Sequence, residues 1–168
     1  LIITIYLKYV NNIDIVIFAH KRQQGVGNLI AFLSMKKTIV LAGDYAYIRQ
    51  IETALKSLCY HNSHVKVYIF NQDVPQEWFR ALRPIVEQMG GELVDVKMLG
   101  AQFQMNWSNK LPHINHMTFA RYFIPDFVEE DKVLYLDSDL VVTADLTALF
   151  EMDLGENYLA AAPSCFGV

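Results

Sequence analysis

Residues 38–71 read TIVLAGDYAYIRQIETALKSLCYHNSHVKVYIFN, and the change of period inside that stretch decides the fold class. TIVLAG (Thr38–Gly43) is a short, almost wholly apolar run of β-branched type, the pattern of a strand covered on both faces. Ile48, Ile51, Leu55 and Leu58 then recur at helical spacing, with Arg49, Glu52 and Lys56 on the other side. VKVYIFN (Val65–Asn71) is a second strand. Strand, amphipathic helix and strand in succession make a βαβ unit, whose two strands run parallel.

The alternation continues downstream. Pro75 opens a helix with Trp78, Phe79, Leu82, Ile85, Val86 and Met89 inward; Pro84 should kink or split it, and Gly90-Gly91 ends it. ELVDVKML (Glu92–Leu99) is a third strand. A polar stretch follows, through Trp107 and Asn109 to Pro112. HMTFARYFI (His116–Ile124) is a short helix stopped by Pro125. KVLYL (Lys132–Leu136) is a fourth strand and YLAAAP (Tyr158–Pro163) a fifth. Between them DLTALFEM predicts a brief helix capped by Asp145. The expected fold is α/β: a Rossmann-like, mostly parallel sheet with helices on both faces. No repeat or linker divides residues 35–168, which read as one unit. In such sheets ligands sit outside the carboxyl ends of the strands.

Composition sets the outer limits. One hundred and sixty-eight residues suit one domain, and 53% hydrophobic against 19% charged residues excludes a disordered chain. A net charge of -4 argues against nucleic acid or an anionic membrane as partner. Cys59 and Cys165 are too few and too far apart for a disulfide scaffold, so reduced thiols and a cytoplasmic location are expected. The opening LIITIYLKYVNNIDIVIF is broken by Lys8, Asn11, Asn12 and Asp14, which is poor for a transmembrane helix. The basic pair Lys21-Arg22 follows this run rather than preceding it, unlike a signal peptide. Met35 then opens MKKTIVLAGD as a natural start would. Residues 1–34 are therefore expected to be upstream or non-native sequence with few contacts, the alternative being one extra strand or helix on the domain. GVGN (Gly25–Asn28) is no dinucleotide loop, because Ile30 takes the third glycine position and polar HKRQQ precedes it.

Two strand ends carry carboxylates. LYLDSDLVV delivers Asp137 and Asp139, with Ser138 between them, to the ligand edge. Two such carboxylates repel unless something positive joins them, and their oxygens suit a hard divalent cation, Mn²⁺ or Mg²⁺. A solvated turn is the plainer alternative. LAGD presents Asp44, then Tyr45 and Tyr47. This is either a base-binding carboxylate with a stacking ring, or a helix cap with two half-buried tyrosines. Gly43 would let a ligand approach the backbone. Arg121, in an apolar helix, either pairs with carboxylates or a diphosphate or faces solvent. The pairs His61/His64 and His113/His116 lack a third neighbour for zinc, Cys59 reads as core, and nothing suggests a nucleophile triad.

The stretch from IVLAGDYAY through LPHINHMTFARYFIP to DKVLYLDSDLVVTADLTALF resembles bacterial members of glycosyltransferase family 8, retaining enzymes of the GT-A fold that use UDP-hexoses and Mn²⁺. The resemblance runs from Thr38 to about Pro163. It implies that Asp137 and Asp139 bind the metal, with Ser138 inside the same motif at the donor. Arg121 would support this pair and the diphosphate. Asp44 and the Ala42 backbone would contact uracil, and the Tyr47 ring would stack on it. Ala46 stands where the family often has Asn. The implied reaction moves a hexose from a UDP-sugar to a glycan, lipid-linked or protein acceptor, with peripheral membrane contact compatible. The catalytic residues, a histidine as third metal ligand and most of the acceptor site are expected beyond Val168. The nucleotide-binding part alone would have unfinished sheet edges prone to aggregation. Two other readings stand beside this one. One is a non-catalytic nucleotide-sugar-binding fragment or assembly subunit. The other is a haloacid dehalogenase-type phosphotransferase, for which Leu140-Val141-Val142 is wrong where a small Thr/Gly turn is required.

Overall fold

A computed structural model describes residues 16–19, 36–99 and 116–161. The apolar runs pair as strands β1 (Val16–Ala19), β2 (Lys37–Ala42), β3 (Val65–Asn71), β4 (Glu92–Lys97), β5 (Lys132–Tyr135) and β6 (Leu159–Ala161). They form one sheet in the order β4-β3-β2-β5-β1-β6. β2, β3, β4 and β5 are mutually parallel. β1 runs antiparallel to both β5 and β6. The helices are α1 (Ile48–His61), α2 (Gln76–Gln88), α3 (Ile124–Phe127) and α4 (Thr147–Glu151), with a 3-10 turn at Tyr45–Tyr47 and a 3-10 helix at His116–Phe123. The mostly parallel α/β sheet expected from the sequence is present.

The alternation of side chains along each strand builds two cores. Ile39, Leu41, Val67, Ile69 and Leu134 face Ile51, Leu55 and Leu58 of α1 and Phe79, Leu82 and Val86 of α2. Val40, Tyr68, Phe70, Val133 and Tyr135 face the opposite way, onto Met117, Ala120 and Ile124. Helices therefore cover both faces, and strands buried on both sides must be apolar throughout. β2, β3 and β4 step away in one direction; β5 returns to the other side of β2. The reversal falls between β2 and β5, where a crevice opens outside the strand ends.

Several expectations change in the folded chain. Pro84 neither splits nor ends α2, which is one continuous helix. It is exposed, so the Arg80 carbonyl that it leaves without a helical partner can be hydrated. Ile85 is 47% exposed rather than inward, because it lies at the margin of the stripe formed by Phe79, Leu82 and Val86. Pro125 does not stop the helix before it; it sits in the first turn of α3, where a missing N–H costs no helical bond. The cap position of α4 is Leu146 rather than Asp145, whose Oδ1 accepts the Thr147 N–H at 2.7 Å from one residue further out. Residues 16–19 take the form of the alternative reading, one extra strand on the domain. As β1 they pair with β5 from Val16↔Tyr135 to Ala19↔Lys132, and with β6 on the other side. An open strand edge such as that of β5 accepts any segment able to extend beside it. GVGN, Trp107, Asn109, Pro112, His113 and Cys165 lie outside the described residues.

Candidate functional site

Three parallel strands deliver their following residues to one edge of the sheet. After β2 the chain turns at once. Asp44 caps the 3-10 turn, its Oδ1 accepting the Ala46 N–H at 3.0 Å and its carbonyl the Tyr47 N–H at 3.0 Å. No residue of that turn is buried, and Tyr45 and Tyr47 are 55% and 44% exposed, so each residue is about half in solvent. Gly43 serves packing: a Cβ there would come within 2.9 Å of Ile51 Cδ1 and 3.4 Å of Tyr47 Cβ. The space expected for a ligand beside Gly43 is thus filled by α1 and Tyr47, and the glycine lets the turn fold tightly onto the helix.

β5 continues past its last ladder pair. Leu136 N donates to Val40 O at 3.0 Å, and Ser138 Oγ donates to Ala42 O at 2.7 Å. Ser138 is buried, so its hydroxyl belongs to this link between strand ends. Asp137 lies two residues beyond Tyr135, on the face covered by the 116–123 helix. Arg121 of that helix reaches it, with Nη2 to Asp137 Oδ1 at 3.4 Å and side chains 15% and 18% exposed. The guanidinium carbon also lies 4.6 Å from the centroid of the Tyr135 ring. Arg121 is therefore held between an aromatic face and a carboxylate. Burial, reinforced by the Asp137 charge, pushes the Tyr135 hydroxyl pKa up, so the phenol stays neutral beneath the cation.

Asp139 is exposed and borders a depression of about 320 Å³ that Ala46, Arg49, Gln50 and Thr53 also line. Leu140 and Val142, directly after the pair, pack into the α1 core, which leaves no small open turn there. Asp137 and Asp139 supply oxygen donors of the type a hard cation takes. Among the described residues no three His, Cys, Asp or Glu side chains gather around one point.

The crevice thus brings Ala42, Asp44, Tyr47, Arg121, Asp137, Ser138 and Asp139 to one edge of one sheet. Two of the histidines lie elsewhere: His61 ends α1 with its ring edge-on to Tyr60, and His64 packs against Gly90. Cys59 is buried in the core, and that burial raises its thiol pKa. Sequence reasoning missed Tyr135 and Asp73. The first is signalled by its place two residues before Asp137. The second follows β3 as Asp44 follows β2, and its Oδ1 accepts the Tyr45 N–H at 2.7 Å. Among the described residues no helix is long and apolar enough to cross a membrane.

Comparison with known proteins bears on this arrangement. The family described as Glycosyl transferase family 8 matches residues 38–166. Glycosyltransferase GlyE of Streptococcus pneumoniae serotype 4 (strain ATCC BAA-334 / TIGR4) is 76% identical over 132 residues, which are 79% of this chain and 32% of that protein. The chain therefore spans about a third of this relative. A crystal structure of GlyE superposes with a TM-score of 0.69 at 66% identity, covering 79% of this chain and 31% of that one. The galactosyltransferase LgtC, in complex with donor and acceptor sugar analogues, gives a TM-score of 0.59 at 26% identity, covering 71% and 44%.

Proposed function

The chain belongs to glycosyltransferase family 8, and from that premise we propose that it forms the nucleotide-binding part of a metal-dependent, retaining hexosyltransferase. Its donor is a UDP-sugar and its acceptor a glycan, a lipid-linked sugar or a protein. Membership implies a sugar donor and a glycan acceptor; the UDP, the hexose and the metal belong to the proposal. The observation that carries it is the meeting of Asp44, Arg121 and the Asp137–Asp139 pair at the reversal between β2 and β5.

In this reading Asp44 accepts a hydrogen bond from the uracil N–H beside the Ala42 backbone, and the exposed Tyr47 ring stacks on the base. Ser138 holds the two strand ends together beneath the donor. Asp137 and Asp139 hold Mn²⁺ or Mg²⁺, which when bound neutralises charge on the departing diphosphate. Arg121, fixed on the Tyr135 ring, adds a pre-positioned positive charge at the same place. Groups acting at the anomeric carbon, and a third metal ligand, are assigned to the part of the relatives that this chain does not span. A cytoplasmic location is proposed on the two separated cysteines.

Calorimetric titration of UDP, with and without Mn²⁺, tests the assignment. Asp139→Ala should abolish the metal-dependent part of binding. Asp44→Ala should weaken binding about ten- to a hundredfold and leave the metal dependence intact, as loss of a buried hydrogen bond would. A normal metal-dependent affinity in Asp139→Ala would overturn the metal assignment. The alternative reading is a nucleotide-sugar-binding unit without turnover. UDP binding without transfer of sugar to any acceptor would select it.

A further inference from the structure

The turn proposed to hold the uracil is exposed beyond its close approach to α1 at Gly43. Tyr45, Ala46 and Tyr47 are all exposed, and no residue of the turn is buried. Its hydrogen bonds include two local to Asp44, the Ile48 N–H donated to the Tyr45 carbonyl, and the Tyr45 N–H donated to Asp73 Oδ1 at 2.7 Å. Asp73 belongs to the loop between β3 and α2.

That loop is itself braced. Asn71, fully buried, donates to Asp95 Oδ1 at 2.7 Å and accepts the Val74 N–H at 3.1 Å through its own Oδ1. Lys97 Nζ donates to Asn71 Oδ1 and to the Val74 carbonyl, both at 2.6 Å. Gln72 Nε2 reaches the Met98 carbonyl at 3.3 Å. Buried, satisfied polar networks of this kind hold backbone in one arrangement. A rigid loop therefore presents a carboxylate to an exposed turn 28 residues away in sequence.

We propose that Asp73 is a positioning residue for the donor nucleotide: by gripping the Tyr45 amide it sets the Asp44 carboxylate and the Tyr47 ring in the geometry that receives the base. The inference rests on the donor-site reading above. An anchored turn binds without first having to be ordered, and its loosening lowers affinity without removing any ligand contact.

The test uses the full 168-residue chain as wild type, Asp73→Ala and Asp73→Asn. Asparagine keeps an oxygen at the Oδ1 position and loses only the charge. Two readouts are taken: hydrogen–deuterium exchange of the amides of residues 44–47 without ligand, and UDP affinity by calorimetry in the presence of Mn²⁺. Asp73→Ala should exchange faster in the turn and bind UDP on the order of tenfold more weakly, and Asp73→Asn should restore both. The midpoint of urea unfolding should stay near wild type in both variants, because the contact is exposed. Unchanged exchange in Asp73→Ala, or faster exchange with unchanged UDP affinity, overturns the positioning role. Failure of wild type to bind UDP instead overturns the donor-site reading, and the role for the nucleotide falls with it.

Discussion

Ser138 Oγ donates to the Ala42 carbonyl at 2.7 Å, joining β5 to β2 just past the last pair of their ladder, Val40↔Tyr135. One strand end leads into Asp44 and the other carries Asp137, so this bond ties together the two strand ends that carry them. Ser138→Ala should cost about 1 kcal/mol of stability, the net worth of one such hydrogen bond. It should also weaken UDP binding, because the base-side and metal-side groups are no longer held in register. Urea unfolding and UDP titration of the same variant check both effects. An unchanged affinity beside a lowered midpoint would show that the bond serves folding alone.

Arg121 compensates Asp137 in the absence of any ligand. Arg121→Ala should destabilise the chain by about 2 kcal/mol, since it leaves a largely buried carboxylate without its charged donor. Its effects on two ligands should have opposite signs. Mn²⁺ alone should bind as well or better, because a competing positive charge is gone, whereas UDP with Mn²⁺ should bind more weakly. Arg121→Lys should recover little, as a lysine cannot both lie flat on the Tyr135 ring and reach Asp137. Titrations of the metal alone and of UDP with the metal separate these outcomes.

Glu130 predicts acid sensitivity away from the crevice. Burial opposes its charge, but Lys66 at 2.8 Å and the Tyr68 hydroxyl at 3.0 Å prevail and hold its pKa below the ordinary 4.5. A depressed carboxylate stabilises the fold above its unfolded pKa, and the contribution is lost as pH falls through the folded value. Between pH 7 and about 4.5 Glu130 should therefore add about 1 kcal/mol, allowing for solvent screening, and lose it below that. Glu130→Gln should lower the unfolding midpoint at neutral pH and flatten its fall below pH 4.5. A mutant whose acid profile merely parallels wild type would disprove the assignment.

The parts of the fold legible in the sequence were those with a period. β2, β3 and β5 are apolar on both faces and could be read as covered strands, and a parallel sheet then places Asp44 and Asp137 at one edge. Relations across elements carried no such signal. Nothing in HMTFARYFI tells a 3-10 helix from an α-helix over eight residues, or says that Arg121 will lie on the Tyr135 ring. Asp73 carries no signal in the sequence, because its partner is a backbone amide, which every sequence contains. Gly43 was read toward a ligand, while the atoms crowding it come from Ile51, one helical turn beyond Tyr47. The place of Val16–Ala19 depended on an open edge, which belongs to β5 and not to those four residues.

That edge supports a final prediction. β1 has a neighbour on each side, with Ile17 opposite Leu134 of β5 and Ala160 of β6. Each of its amides must point to one neighbour or the other, so proline anywhere within it removes a donor to the sheet. Ile17→Pro should therefore lower the midpoint of urea unfolding and release β6, whose only strand contact among the described residues is β1. Faster hydrogen exchange across residues 159–161 would register that release. β2 and β5 pair with each other on the far side of β5 from β1, so the crevice should survive, with UDP affinity unchanged well below the unfolding transition. If neither the midpoint nor exchange in β6 moves, β1 contributes nothing to the folded sheet in solution. If UDP affinity falls as well, the sheet transmits disorder from β1 through β5 to Asp137.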